Sequence, residues 1–269
     1  MKRIAFANQK GGAGKTTLTH NFVRALVAGG YRVLMVDADP QANLTESFME
    51  DTSQVKARTI DLYQKRGAVV EPHALSDRLA ILAGDDELAM IEHTNDIEVF
   101  EFIREGVAPL ANRFDFCVID TPPSLGFLAI STYIAAQHMI VPLNPDTYSF
   151  SATARLLQKV SSVQARWNPE LRILGAVLNN VKPGTNLLDQ ALKELKEAFG
   201  AALCPIPIPS SVRFPETAAR RVSILDYAPD TTVAKAFDAL VTELMKRMGM
   251  PRQKSALASS AGKGSGEAA

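Results

Sequence analysis

The stretch Gln9-Lys10-Gly11-Gly12-Ala13-Gly14-Lys15-Thr16-Thr17 constrains this chain more than any other. A short apolar run, Ile4-Ala5-Phe6-Ala7, feeds into it, and Leu18, Phe22 and Leu26 follow at helical spacing. Three glycines therefore stand at a strand-to-helix turn. Glycine lets successive backbone N–H groups converge on one anion without a Cβ clash, and the helix that follows adds the positive end of its dipole. The expected occupant is the phosphate chain of a nucleotide. Gly11, Gly12, Ala13, Gly14 and Thr17 line it, Lys15 reaches the β/γ-phosphates, and the Thr16 hydroxyl ligates Mg²⁺. The alternative, a glycine-rich turn with solvated lysines, leaves the flanking strand and helix without a purpose.

Two further apolar runs end in an acid. Residues 31 to 37, Y-R-V-L-M-V-D, look like a parallel strand buried on both faces, and Asp37 and Asp39 then leave its carboxyl end. Open parallel sheets bind ligands along that edge, so both carboxylates belong beside the phosphates, where an acid positions water or holds the metal's water shell. Their competing reading is as turn formers and a helix N-cap before Leu44-Thr45-Glu46. Residues 114 to 120, F-D-F-C-V-I-D, repeat the pattern, placing Asp120 at a strand tip opposite the glycine loop and within reach of Mg²⁺.

The rest of the chain alternates between strand and helix patterns. Strands are expected at 79 to 84, 138 to 143 and 171 to 178, and helices at 59 to 63, 151 to 167 and 231 to 248. Residues 85 to 112 read as one long helix or two broken ones, with Asp85, Asp86, Glu87 and Glu92 as solvated surface. Residues 51 to 78 carry no assignable chemistry. Asn179-Asn180 closes a strand on the ligand edge, where an amide can pair with a base or merely make a turn. Cys204-Pro205-Ile206-Pro207-Ile208-Pro209 is too rich in proline for a central strand beyond its first residues. This alternation gives an α/β fold with a doubly wound, mostly parallel sheet and helices on both faces.

At 269 residues, with 46% hydrophobic and 22% charged residues, the chain has the composition of one large globular domain. Without an eighteen-residue apolar stretch or an N-terminal signal, it is expected in the cytoplasm. Cys117 and Cys204 lie in apolar runs and read as buried thiols, while His20, His73, His93 and His138 are scattered without metal-ligand spacing. The formal net charge is zero, so any nucleic-acid contact needs a local patch. The densest candidate is Arg213, Arg220 and Arg221, unless these pair with Glu216 and Asp226. From Pro251 onward the composition is that of a disordered tail, so the domain is bounded at 1–249 with the tail at 250–269.

The string K-G-G-x-G-K-T-T departs from the ordinary P-loop, which has a glycine where this chain has Gln9, and places Lys10 beside that position. It resembles the deviant Walker A of the ParA/MinD family of dimeric ATPases, as do D-x-D-P-Q-x-N from Asp37 and V-I-D-T-P-P-S-L-G through Asp120. The resemblance implies a P-loop ATPase in which Lys10 reaches the partner subunit's nucleotide, Asp39 orients the attacking water, and Asn179 and Pro207 lie near adenine. It further implies an ATP- and Mg²⁺-dependent homodimer that binds DNA nonspecifically on the nucleoid. A ParB-like or other adaptor would stimulate hydrolysis so that a plasmid, chromosome origin or protein cluster is positioned. The segment after Val212-Arg213 departs from the family's pattern at Pro215 and at Ala219-Arg220-Arg221. The competing class, a MinD-like membrane positioner, would use the basic apolar segment Leu244 to Met250 as an amphipathic anchor.

Overall fold

The computed structural model describes residues 1–65, 67–94, 96–145, 149–182 and 186–250, the side chains of 186–190 excepted. The proposed tail therefore lies, beyond Met250, outside the described residues. Seven strands form one sheet in the order β3-β4-β2-β5-β1-β6-β7. They are β1 (Lys2–Phe6), β2 (Val33–Asp37), β3 (His73–Ser76), β4 (Leu79–Leu82), β5 (Phe116–Asp120), β6 (His138–Leu143) and β7 (Arg172–Leu178). All neighbouring pairs are parallel except β3 and β4.

The central strands show why continuous apolar runs make a doubly covered sheet. Ile4 and Phe6 of β1, Val33 and Met35 of β2, and Phe116 and Val118 of β5 pack into one core layer. Their neighbours Ala5, Leu34, Val36, Cys117 and Ile119 pack into the other. With a period of two, each strand must be apolar at every position to satisfy both layers.

One layer is closed by α1 (Lys15–Ala28) and α10 (Thr232–Arg247), with the short helices α8 (Arg213–Arg220) and α9 (Ile224–Tyr227) beside them. α1 turns Leu18, Phe22 and Leu26 inward, as their spacing predicts, and burying a ring such as Phe22 contributes about 1.5–3 kcal/mol. The opposite layer carries α4 (Phe102–Val107), α5 (Phe127–Ala135), α6 (Phe150–Arg166) and α7 (Asn186–Phe199). Two single-turn helices, α2 (Asn43–Glu46) and α3 (Asp61–Gln64), follow β2. In α10 Leu244 and Met245, and just past its end Met248, are buried against the core, so these apolar residues already have a partner. Among the described residues no helix is long and apolar enough to cross a membrane.

Two expectations need correction, and one strand was not anticipated. Residues 51 to 78 also include β3, a four-residue edge strand whose alternating exposure gives it a weak apolar signal. Residues 85 to 112 are a chain of 3-10 turns (Asp86–His93, Ile97–Glu101 and Ala108–Leu110) around the short α4, because the buried residues Leu88, Ile91, Val99 and Phe102 are spaced for contact with α5 rather than for one continuous helix. Asp85 and Glu92 are not free surface acids: Asp85 is buried and paired with Arg58 at 3.2 Å, and Glu92 binds the start of α5.

Candidate functional site

The site forms where the carboxyl ends of β1, β2 and β5 meet, beside the point at which the chain crosses to β6 on the far side of β1. Phe6, Asp120 and Asp37 sit in register across this edge. The loop that leaves β1 is tied down before it turns. Asn8 donates through Nδ2 to the Pro142 carbonyl at 2.6 Å and accepts the Lys10 N–H at 3.0 Å. Gln9 donates to the Ala152 carbonyl at 2.6 Å, which explains why this chain tolerates a glutamine where a glycine is common.

Gly12 (φ 71°) and Gly14 (φ 90°) take left-handed conformations, and α1 begins at Lys15. No heavy atom lies within 4 Å of where a Cβ would stand on Gly11 or Gly12, so that side of the loop is open. At Gly14 a Cβ would lie 2.1 Å from Asn179 Nδ2. That amide donates to the Ala13 carbonyl at 3.0 Å, so Asn179, placed on the ligand edge as expected, braces the loop itself. Pro207 is exposed on the neighbouring segment, held by Ile208 N–H donating to the Leu178 carbonyl at 2.8 Å.

Lys15 is only 7% exposed. Burial pulls its ammonium below the usual lysine range, and the charges of Asp120 and Asp39 push the other way. The Thr16 hydroxyl donates to Asp120 Oδ2 at 2.6 Å and Thr19 to Asp120 Oδ1 at 3.1 Å. Asp37 is satisfied within the protein, accepting from the Thr45 N–H at 2.8 Å and hydroxyl at 2.7 Å, so it holds α2 in place. Asp39 is buried, and its Oδ1 accepts the Gln41 N–H at 3.0 Å. Lys10 is half-buried on the opposite side of the loop, near Asn144 and the start of α6.

These residues fit a magnesium–nucleotide pair. Burial raises the carboxyls of both Asp37 and Asp120; the charge of Asp37 adds to the rise at Asp120, and that of Asp39 adds a smaller push at Asp37, so the strand tips gather acids that Lys15 alone does not offset. Thr16 and Asp120 offer hard oxygen donors. Among the described residues no three His, Cys, Asp or Glu side chains gather closely enough to hold a metal by themselves. An ion that takes one or two protein oxygens and completes its shell with phosphate and water, as Mg²⁺ does, matches that donor set.

Two contacts were invisible in the sequence. Glu92 accepts the Phe127 N–H at 2.7 Å and the Ser124 hydroxyl at 3.3 Å, clasping the loop that follows Asp120. Its only sequence signal is an acid upstream of an uncapped helix start, since the N-cap residue of α5 is Gly126. His20 is buried on α1, with Nε2 2.9 Å from the Val222 carbonyl and Nδ1 2.9 Å from Ser47 Oγ. Burial pushes its pKa down to about 4, with the Val222 bond opposing and Arg24 assisting. Because a carbonyl only accepts, the neutral ring carries its proton on Nε2, and Nδ1 faces a Ser47 hydroxyl that also lies 2.7 Å from the Leu44 carbonyl and has one proton for the two acceptors.

Arg213 and Arg220 lie on α8, and Arg221 directly follows it. Arg213 pairs with Glu216 at 3.3 Å, and the guanidinium groups of Arg213 and Arg220 lie 5.9 and 5.3 Å from the Tyr227 ring centre. Asp226 instead accepts the Ser223 hydroxyl at 2.6 Å.

A family model described as an AAA domain matches residues 1–173. The chromosome-partitioning ATPase Soj of Thermus thermophilus is 32% identical over 255 residues, which span 92% of this chain and 97% of that protein. The sporulation initiation inhibitor protein Soj of Bacillus subtilis is 30% identical over 247 residues, 90% of this chain and 98% of its own. The solved structure of cobyrinic acid a,c-diamide synthase from Mycobacterium smegmatis with bound ADP and magnesium superposes with a TM-score of 0.75 at 27% identity, covering 94% of this chain and 99% of that one.

Proposed function

Because this chain belongs to the Soj/ParA family of partitioning ATPases, we propose that it is a Mg²⁺-dependent ATPase working as an ATP-driven dimeric switch that positions cargo on DNA. The observation that carries this reading is Lys15, a buried ammonium between Asp39 and Asp120 at the foot of an open glycine loop. A cation buried beside two carboxylates at the foot of an open glycine loop suits an anionic ligand.

The loop N–H groups of Gly11 to Thr17 and the Lys15 ammonium hold the triphosphate, while Asn179 and Pro207 border the adenine. Thr16 and Asp120 hold magnesium, which when bound neutralises charge on the phosphate oxygens. Asp39 orients a water whose oxygen bonds to the γ-phosphorus as the bond to the β–γ bridging oxygen breaks, leaving ADP and phosphate. Lys10 of each protomer reaches the nucleotide of its partner, so two ATP molecules bridge the homodimer. Hydrolysis removes that bridge and the protomers separate.

In the ATP dimer, Arg213, Arg220 and Arg221 were grouped by sequence as the DNA contact; Arg213 and Arg220, stacked on one ring, make the better patch. A ParB-like or other adaptor stimulates hydrolysis, which places the protein in the cytoplasm on the nucleoid. Residues 1–249 act as one ATPase unit. The buried apolar residues of α10 favour this reading over a membrane positioner.

Asp39→Ala tests it. The variant should bind ATP normally, hydrolyse it slowly and accumulate as a dimer in light scattering, because the acid acts on water rather than on phosphate. A variant that stays monomeric with ATP while the parent protein dimerises would show the assignment to be wrong.

A further inference from the structure

The three arginines that the sequence groups together part company in the structure. Arg213 and Arg220 share Tyr227, whereas Arg221 ends α8 in a left-handed conformation, φ 55° and ψ 37°, that few residues other than glycine, asparagine and aspartate adopt. Its side chain borders a cleft of about 490 Å³ between the start of α1, α2 and the end of α8, and the same cleft is lined by Thr16 and Thr17. Arg221 Nε is buried and has no hydrogen-bond partner among the described residues. Its guanidinium lies 3.8 Å from Glu50, which is 89% exposed and so a weak partner, while Glu46 lines the same cleft. Arg221 is the fixed positive charge of the cleft, since His20 is neutral there.

We propose that Arg221 is a nucleotide ligand rather than a DNA contact: it reaches across this cleft to the phosphates of a nucleoside di- or triphosphate seated at the Thr16–Thr17 end of the loop. The inference rests on the P-loop reading given above. A planar guanidinium with spare donors suits phosphate oxygens better than a lone surface carboxylate does. A cation supplied within the same chain would tighten each protomer's grip on nucleotide before any partner arrives.

Titration with a fluorescent ADP in the presence of Mg²⁺, alongside thermal melts, tests this with Arg221→Gly and Arg221→Lys. Glycine accepts a φ of 55° without strain, so Arg221→Gly should melt at or above the parent temperature while binding ADP about tenfold more weakly, the effect of losing one charge-assisted contact in a half-exposed cleft. Arg221→Lys should recover affinity to within about threefold of the parent, because the charge is kept and the fork is lost. At saturating ATP, Arg221→Gly should still bind duplex DNA. Equal ADP affinity in the parent and Arg221→Gly would overturn the proposal and leave the P-loop reading intact. Normal ADP affinity with lost DNA binding would overturn it by returning Arg221 to the DNA patch. A parent protein that bound no ADP would overturn both.

Discussion

Replacing Gly14 with alanine should cost the fold more than any other single methyl group in the loop. At φ 90° an alanine pays roughly 1–2 kcal/mol for left-handed backbone alone. Its Cβ would also stand 2.1 Å from Asn179 Nδ2, so the amide must move and its 3.0 Å bond to the Ala13 carbonyl must break. Ala13 is 1% exposed, and a buried carbonyl left unpaired costs about 1–3 kcal/mol. The two contributions together are about 3 kcal/mol, which for a chain of this size lowers Tm by about 5 °C. Asn179→Ala alone loses only the hydrogen bond, about 2 kcal/mol. In the double variant the clash has no target, so the combined loss should fall short of the sum by roughly 1–3 kcal/mol. Nucleotide-free thermal and urea melts of the four proteins complete the cycle. Strictly additive losses, or a Gly14→Ala protein that melts with the parent, would refute the claim that Asn179 and the loop form one unit.

Three further outcomes follow from the same geometry. The neutral His20, with a folded pKa of about 4 against 6.5 unfolded, contributes stability that is complete above pH 6.5 and is lost as pH falls toward 4, about 3 kcal/mol in all. Comparing the parent with His20→Gln between pH 7 and 4 isolates this slope from those of the buried carboxylates, and parallel stability curves would contradict it. Lys10→Ala should spare nucleotide binding by the monomer yet lower dimerisation and hydrolysis together, read by light scattering and phosphate release; a variant normal in both would remove Lys10 from the mechanism. Arg213→Glu with Arg220→Glu should abolish ATP-dependent gel shifts of arbitrary duplex while dimerisation persists, since counterion release scales with the phosphates contacted. Full binding at moderate salt would place the DNA patch elsewhere.

The parts of the fold that were legible are those where one local rule decides the outcome. Apart from the terminal Asp37 and Asp120 and the leading His138, β2, β5 and β6 are apolar because both faces are covered, and His138–Leu143 matches its expected bounds. The glycine loop was legible because its residues cannot serve an ordinary turn as well. What escaped detection depends on distant partners. β3 is held by pairing with β4 rather than by its own pattern, and α5 begins at a glycine whose missing cap is supplied from the 3-10 turns by Glu92. His20 looked inert because nothing near it in sequence is a partner: Ser47 lies 27 positions away and Val222 lies 202. Arg221 was grouped with Arg220 by adjacency, but Arg220 lies over the Tyr227 ring while Arg221, itself left-handed at the helix end, borders the cleft beside Thr16 and Thr17.

The bond between Asn179 and Ala13 joins positions 166 apart. During synthesis the glycine loop leaves the ribosome early, but the side chain that braces it is made only after β7 is complete. A nascent chain of half this length can carry the whole loop motif and still lack the rigid cradle. Loop closure over so long a segment is entropically slow. Tight nucleotide capture should therefore be among the last properties acquired as the chain folds, and a ribosome-bound fragment ending before residue 179 should display the motif without its grip.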